Sequence, residues 1–127
     1  MTVKTIPYDE AMEMLLEDPE FREYWERTAF ARAIAIQIIR YRAEHDLSQT
    51  ALARRLGVSQ ASVGRLELGE HEPKISTLRN LSEKLGMRFS IDIHPAGQAP
   101  AMADDERTGQ RVERSVAGGV EMLVLAV

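Results

Sequence analysis

The chain has no cysteine, which excludes disulfides, thiol catalysis and Cys-ligated zinc. It has no apolar stretch of membrane-spanning length. The longest apolar-rich run, Ala33 to Ile39, falls far short of the ~20 residues that a span needs. The N-terminus holds Asp9, Glu10 and Glu13 and lacks a basic-then-apolar signal pattern, so export is not expected and the cytoplasm is the expected compartment. Histidine is scarce, with 3 in the chain. His45-Asp46 and His71-Glu72 are the His–acid neighbours, and His94 stands before Pro95. None has zinc-ligand spacing, and no Gly-rich phosphate loop or nucleophile elbow occurs. An enzyme is therefore not expected, nor a metal or other cofactor. Aromatic residues make up only 6%, but the apolar fraction of 44% is ordinary for a globular chain. The 127 residues suit one domain with at most an extra arm, and a core of four or five helices.

Charge of one sign is unevenly spread. The whole chain carries −4, which alone argues against nucleic acid. By segment, residues 1–30 carry −5, residues 31–94 carry +3 and residues 95–127 carry −2. The middle is suited to a polyanion and the front to a cation.

The pattern of caps and breakers divides the chain. Residues 1–8 read as an extended lead-in. Asp9 is placed to cap a helix running to about Glu17, with Ala11, Met12, Leu15 and Leu16 on one face. Asp18-Pro19 ends that helix and opens the next. From Glu20 to about Glu44 no Gly or Pro intervenes, so one long helix or two abutting ones are expected. The stretch from Ala29 to Ile39 is apolar nearly all round, which predicts burial on two sides: one on its own domain, the other on the N-terminal arm or a partner. Short helices follow. Ser48 caps one ending at Gly57, Ser59 caps one ending at Gly69, and Ser76 caps one ending at Gly86. Residues Met87 to Ile93 alternate strictly and read as a strand. Its candidate partners are Thr2–Ile6, Met122–Val127 or the same strand of a second subunit about a two-fold axis. From Pro95 to Gly119 the composition shifts to Ala, Gly, Pro, Gln and charges, which reads as a flexible tail.

The segment from Leu47 to Gly69 carries the functional signal. Two helices of about eight residues meet at Gly57-Val58-Ser59. A sharp angle between them needs a small residue at the contact, here Ala53, and a residue tolerant of positive φ at the turn, here Gly57. Val63 and Leu66 supply the inner face of the second helix. This is the pattern of a DNA-binding helix-turn-helix.

On these residues, the run LSQTALARRLGVSQASVGRLELGEHEPKISTL resembles the lambda-repressor-like, Cro-like (XRE) helix-turn-helix family. The resemblance covers about Ala29 to Leu85. It implies an all-α, lambda-repressor-like helical bundle, here with an N-terminal helical arm and one C-terminal β-strand. It implies that the second helix enters the major groove, with Gln60, Ala61, Ser62 and Arg65 matching the base-reading positions. Arg65 would pair with guanine and Gln60 with adenine. Gln49 and Thr50 match backbone-phosphate contacts, and Lys74 is the cation of the following loop. Arg42 and Glu67 match a structural ion pair. Two departures stand out: Gly64 lies inside the recognition helix, and Glu70 and Glu72 would repel phosphate. Modest affinity per monomer and reliance on a homodimer are therefore expected.

The acidic front also resembles HigA-type antitoxins of toxin–antitoxin pairs, through the general layout and the Val3-to-Ala11 opening. That resemblance implies a small basic ribonuclease toxin as partner, besides an inverted-repeat DNA operator. Leu15, Leu16, Phe21, Tyr24 and Trp25 are the candidate apolar anchors among the arm's acids. The expected organisation is an acidic partner-binding arm over 1–28 and a helix-turn-helix domain over 29–86. A dimerisation strand over 87–94, with Phe89 and Ile91 as contacts, and a flexible tail over 95–127 complete it. A stand-alone repressor, with the arm only buttressing the fold, is the alternative.

Overall fold

A computed structural model gives the structure of the chain and describes residues 5–98, 112–117 and 119–126. Among the described residues six helices come first: α1 (Tyr8–Leu16), α2 (Pro19–Arg27), α3 (Ala29–His45), α4 (Gln49–Leu56), α5 (Gln60–Leu68) and α6 (Ile75–Leu85). Three strands follow among them: β1 (Phe89–Pro95), β2 (Val112–Ala117) and β3 (Val120–Ala126). The fold is predominantly helical and contains the helix-turn-helix pair α4–α5.

Local chemistry explains most helix ends. Ser48 Oγ accepts from the Ala51 N–H at 3.0 Å, and Ser59 Oγ accepts from the Ser62 N–H at 3.1 Å, each satisfying an otherwise orphaned donor. Gly57, at φ 70°, closes α4 in the left-handed region, and its turn carries the chain directly into α5. Asp18 caps α2, accepting from the Glu20 N–H at 3.0 Å, with Pro19 at the first helical position.

Two expected caps are displaced. Pro7, rather than Asp9, is the N-cap of α1. Its extended backbone already has the cap conformation and its carbonyl accepts from the Ala11 N–H, so Asp9 falls inside the first turn near the positive helix end. Lys74, rather than Ser76, caps α6 without a side-chain bond. The Lys74 carbonyl accepts from both Thr77 and Leu78, which sets the cap two residues ahead of Ser76.

Helices α2 and α3 abut without Gly or Pro. They part at Thr28, whose hydroxyl donates to the Tyr24 carbonyl at 2.8 Å. The Arg32 guanidinium donates to the Trp25 carbonyl at 3.1 Å, so the last carbonyls of α2 find side-chain donors instead of a continuing helix. Helix α3 is the centre of the fold. Its Ile34 and Ile38 are fully buried with Leu52 of α4, Val63 of α5 and Leu81 of α6. Its other side packs on α2, β2 and β3. The expected second burial surface of α3 is thus the arm together with the sheet.

The sheet corrects three expectations. It has the order β1-β3-β2, antiparallel throughout. The expected single strand therefore has two companions from the segment expected to be a flexible tail. The cause is a hairpin: Ala117 pairs with Val120, and Gly119 sits at φ 78°. A Gly-Gly pair between two β-prone runs is a strong two-residue hairpin signal. Residues 99–111 of the expected tail lie outside the described residues. Of the candidate partners of that strand, the C-terminal run is the one that pairs with it: β3 lies along one edge of β1, with Ile93 opposite Met122 and His94 opposite Glu121. Finally, Phe89 and Ile91, expected at a dimer contact, pack against the chain's own core. Residue Ile93, on the same face, stays 65% exposed.

Candidate nucleic-acid interface

The two helices of the α4–α5 pair pack on each other, and Ala53 of α4 and Val63 of α5 are both buried in the shared core. Their N-terminal turns carry the polar residues expected at a DNA surface. A chain of hydrogen bonds crosses three helices there. Arg42 of α3 donates from Nε to Glu67 Oε1 at 2.7 Å, and its Nη2 lies 2.7 Å from the same oxygen. Gln49 of α4 donates from Nε2 to Glu67 Oε2 at 2.5 Å. Gln60 of α5 donates from Nε2 to Gln49 Oε1 at 2.6 Å. Arg42 also donates from Nη1 to the Leu47 carbonyl at 3.1 Å, which ties the turn before α4 to the same network.

The physical logic is that of a buried carboxylate fully supplied with donors. The Glu67 side chain is 6% exposed, so its charge has to be paired in place. Arg42 supplies the charge, and Gln49 supplies a donor to the other oxygen. That leaves Gln49 Oε1 to orient the exposed Gln60 at the start of α5. Both amide groups are thereby held before any ligand arrives, which lowers the entropy lost on binding.

Of the remaining positions, Ala61 and Arg65 are exposed on the outer face of α5. Ser62 is half-buried and drawn into the cap: its Oγ lies 2.9 Å from Ser59 Oγ, and Arg65 Nη2 donates to it at 3.4 Å. Thr50 is exposed in the first turn of α4, and Lys74 is exposed at the start of α6. A groove of about 620 Å³ runs between α5 and α6 with Ser62, Arg65, Glu72 and Lys74 on its walls. It brings two cations of the surface to one channel, and one loop acid with them. The Asn80 amide donates to the Leu56 carbonyl at 2.9 Å and fixes α6 beside the turn.

The structure also explains the glycine inside α5 and the one that caps it. A methyl group at Gly64 would meet only Gln49 Oε1 and Gln60 Nε2, both at 3.8 Å. The site has room for it. At Gly69, with φ +64°, a methyl group would stand 3.1 Å from the Arg32 Cα, so α5 passes α3 closely there and glycine is required.

The arm places its expected anchors in two groups. Phe21 and Trp25 of α2 are half-buried, with ring centroids 5.9 Å apart. The Arg32 guanidinium lies 3.3 Å from the centroid of the Trp25 ring. Leu15 of α1 and Tyr24 of α2 are exposed, and Leu16 is half-buried.

One polar cluster escaped the sequence reading. His94, which stands alone in the sequence, lies with its Nδ1 2.9 Å from Asp92 Oδ1 and its Nε2 3.4 Å from Glu121 Oε2. The alternation of Ser90, Asp92 and His94 on one strand face was the available signal; Glu121 comes from the hairpin. Among the described residues no group of His, Asp and Glu is arranged to hold a metal ion, and no helix is long and apolar enough to cross a membrane.

Comparison with known proteins places this geometry. The family described as "Helix-turn-helix" matches residues 38–91. Antitoxin HigA1 of Mycobacterium tuberculosis is 33% identical over 79 residues, 62% of this chain and 53% of that protein. The HTH-type transcriptional regulator SutR of Escherichia coli is 31% identical over 78 residues, 61% of this chain and 44% of that protein. An uncharacterized HTH-type transcriptional regulator of Methanocaldococcus jannaschii is 33% identical over 49 residues, 39% of this chain and 74% of that protein. The chain spans about half the length of the first two relatives. No solved structure matches.

Proposed function

This chain belongs to the helix-turn-helix family, and on that premise we propose that it is a sequence-specific DNA-binding antitoxin. In this reading it neutralises a small basic ribonuclease toxin in the cytoplasm and represses its own operon. The observation that carries the DNA half is the bonded series Arg42–Glu67–Gln49–Gln60, which holds an exposed amide at the head of α5. Gln60 reads adenine and Arg65 reads guanine in the major groove, each worth roughly 1–3 kcal/mol of discrimination. Ala61 offers a small apolar contact beside them. Thr50 and the free N–H groups of the first α4 turn take a backbone phosphate, with Lys74 on the far side of the groove. Gln49 acts through Gln60, since both ends of its amide are engaged.

A homodimer reads two inverted half-sites about one helical turn, roughly 34 Å, apart. The outer edge of β1 supports a two-fold pairing. Ile93 is its exposed apolar residue, whereas Phe89 and Ile91 are committed to the chain's own core. Replacing Ile93 with Lys is expected to yield monomers in sedimentation and to weaken operator binding.

Likeness to antitoxin HigA1 and the acidic arm support the toxin half. A second reading, a stand-alone transcriptional regulator, is favoured by the packing of α2 on α3 and β2, which makes part of the arm a buttress. The test is a fluorescence titration of DNA from upstream of the chain's own gene, with and without the product of the neighbouring reading frame. Salt-sensitive, sequence-selective binding is expected. Equal affinity for scrambled DNA would defeat the DNA half. Failure of a cationic neighbour to bind the chain would leave the stand-alone regulator.

A further inference from the structure

We propose that α1 is the element a cationic partner grips, and that α2 is its mount; this deepens the antitoxin reading and rests on it. Helix α1 has nine residues and buries none of them. Isolated helices of that length are marginal in water. Among the described residues it packs chiefly on α2. Yet its sequence has a clear apolar stripe. Tyr8 and Leu15, seven apart and so on one line of the helix, are 70% and 46% exposed. Met14 is also exposed, while Ala11, Met12 and Leu16 are half-buried. Asp9, Glu10 and Glu13 occupy the opposite side, and α1 contains no basic residue. An amphipathic helix of this design docks its apolar face into a groove, and its acids select a groove rimmed by Lys and Arg.

Helix α2 differs on each count. Phe21 and Trp25 are stacked and half-buried, the Trp25 ring lies under Arg32, and the helix packs on α3 and β2. These aromatics hold the arm to the body and are not free anchors. The occupant is therefore a protein with an apolar groove and cationic rims, meeting α1 alone rather than the whole of residues 1–28.

The experiment uses the full chain and the purified product of the reading frame beside its gene, by titration calorimetry. Tyr8→Gln with Leu15→Gln preserves helix propensity and is expected to weaken binding on the order of 100-fold. Its thermal midpoint and operator affinity should stay at the wild-type level. Glu10→Gln with Glu13→Gln is expected to lose about 10-fold and to flatten the salt dependence. Trp25→Phe is expected to lower the thermal midpoint with the partner affinity unchanged. Wild-type affinity in the Tyr8/Leu15 variant, or an equal loss in Trp25→Phe, would overturn the assignment of α1 while leaving the antitoxin reading in place. A wild-type chain that does not bind a cationic neighbour would instead remove the antitoxin reading, and this proposal with it.

Discussion

Helices α1 and α4 are nearly equal in length, nine and eight residues, and both are amphipathic. Their circumstances are opposite. Helix α4 starts at a serine whose side chain caps it, ends at a left-handed glycine and buries Leu52, Ala53 and Leu56. Helix α1 has no side-chain cap, no buried residue and no basic residue in its last turn. A short helix draws its stability from tertiary packing of its apolar face rather than from propensity. One of these helices has found that packing inside the chain; the other presents the same kind of face outward. The comparison separates residues that hold the fold from residues that remain available to a partner.

The largest expected effect that tests this contrast is a truncation on each side. Leu52→Ala is expected to cost about 2–5 kcal/mol in denaturant unfolding. Leu15→Ala is expected to stay within about 0.5 kcal/mol. Comparable losses would mean that α1 is part of the core after all. Next comes the ion pair. Arg42→Ala removes the paired charge and both nitrogens beside the buried Glu67 carboxylate and is expected to cost about 3 kcal/mol. The double change Arg42→Met and Glu67→Leu is expected to recover most of that stability. It should still weaken operator binding, because Gln49 and Gln60 lose their anchor. A double variant with full DNA affinity would show that the network serves stability only.

The glycine inside α5 and the one that caps it sharpen the contrast further. Gly69→Ala places a side chain in the left-handed region against the Arg32 backbone, so a loss of about 1–2 kcal/mol is expected in thermal melts. Gly64→Ala meets only ordinary contacts and is expected to stabilise by about 0.5–1 kcal/mol. Destabilisation there would mean that the recognition helix approaches a neighbour more closely than the free chain shows.

Much of the α3–α6 region was legible from residue order because its signals are local. Ser48, Gly57, Ser59, Gly69 and Gly86 each act within a few residues of themselves. The alternation of the β1 strand was equally plain. The pairing of that strand was legible only as a choice among candidates: the run Met122–Val127 stood beside Thr2–Ile6 and a second subunit, and contacts between distant segments selected β3, Val120–Ala126. The Gly118-Gly119 pair was visible but lay in a segment whose Ala, Gly and charge content resembles a linker. The candidate site divides the same way. Positions Gln60, Ala61 and Arg65 follow from helix phase, whereas the tie from Gln49 to both Glu67 and Gln60 depends on side chains 18 and 11 residues apart. The arm's aromatics illustrate the limit best. Phe21 and Trp25 look like free anchors until the fold stacks them on each other, half-buried, with the Arg32 guanidinium over the Trp25 ring.

What could be read along the chain, then, is most of what has a local cause: roughly where helices start and stop, which face is apolar, and where charge accumulates. These follow from backbone dihedral preferences and hydrogen-bond needs that a few neighbouring residues satisfy. What required the folded molecule is which apolar faces are already taken. That depends on contacts between distant segments, and burial there is a property of the pair rather than of either residue.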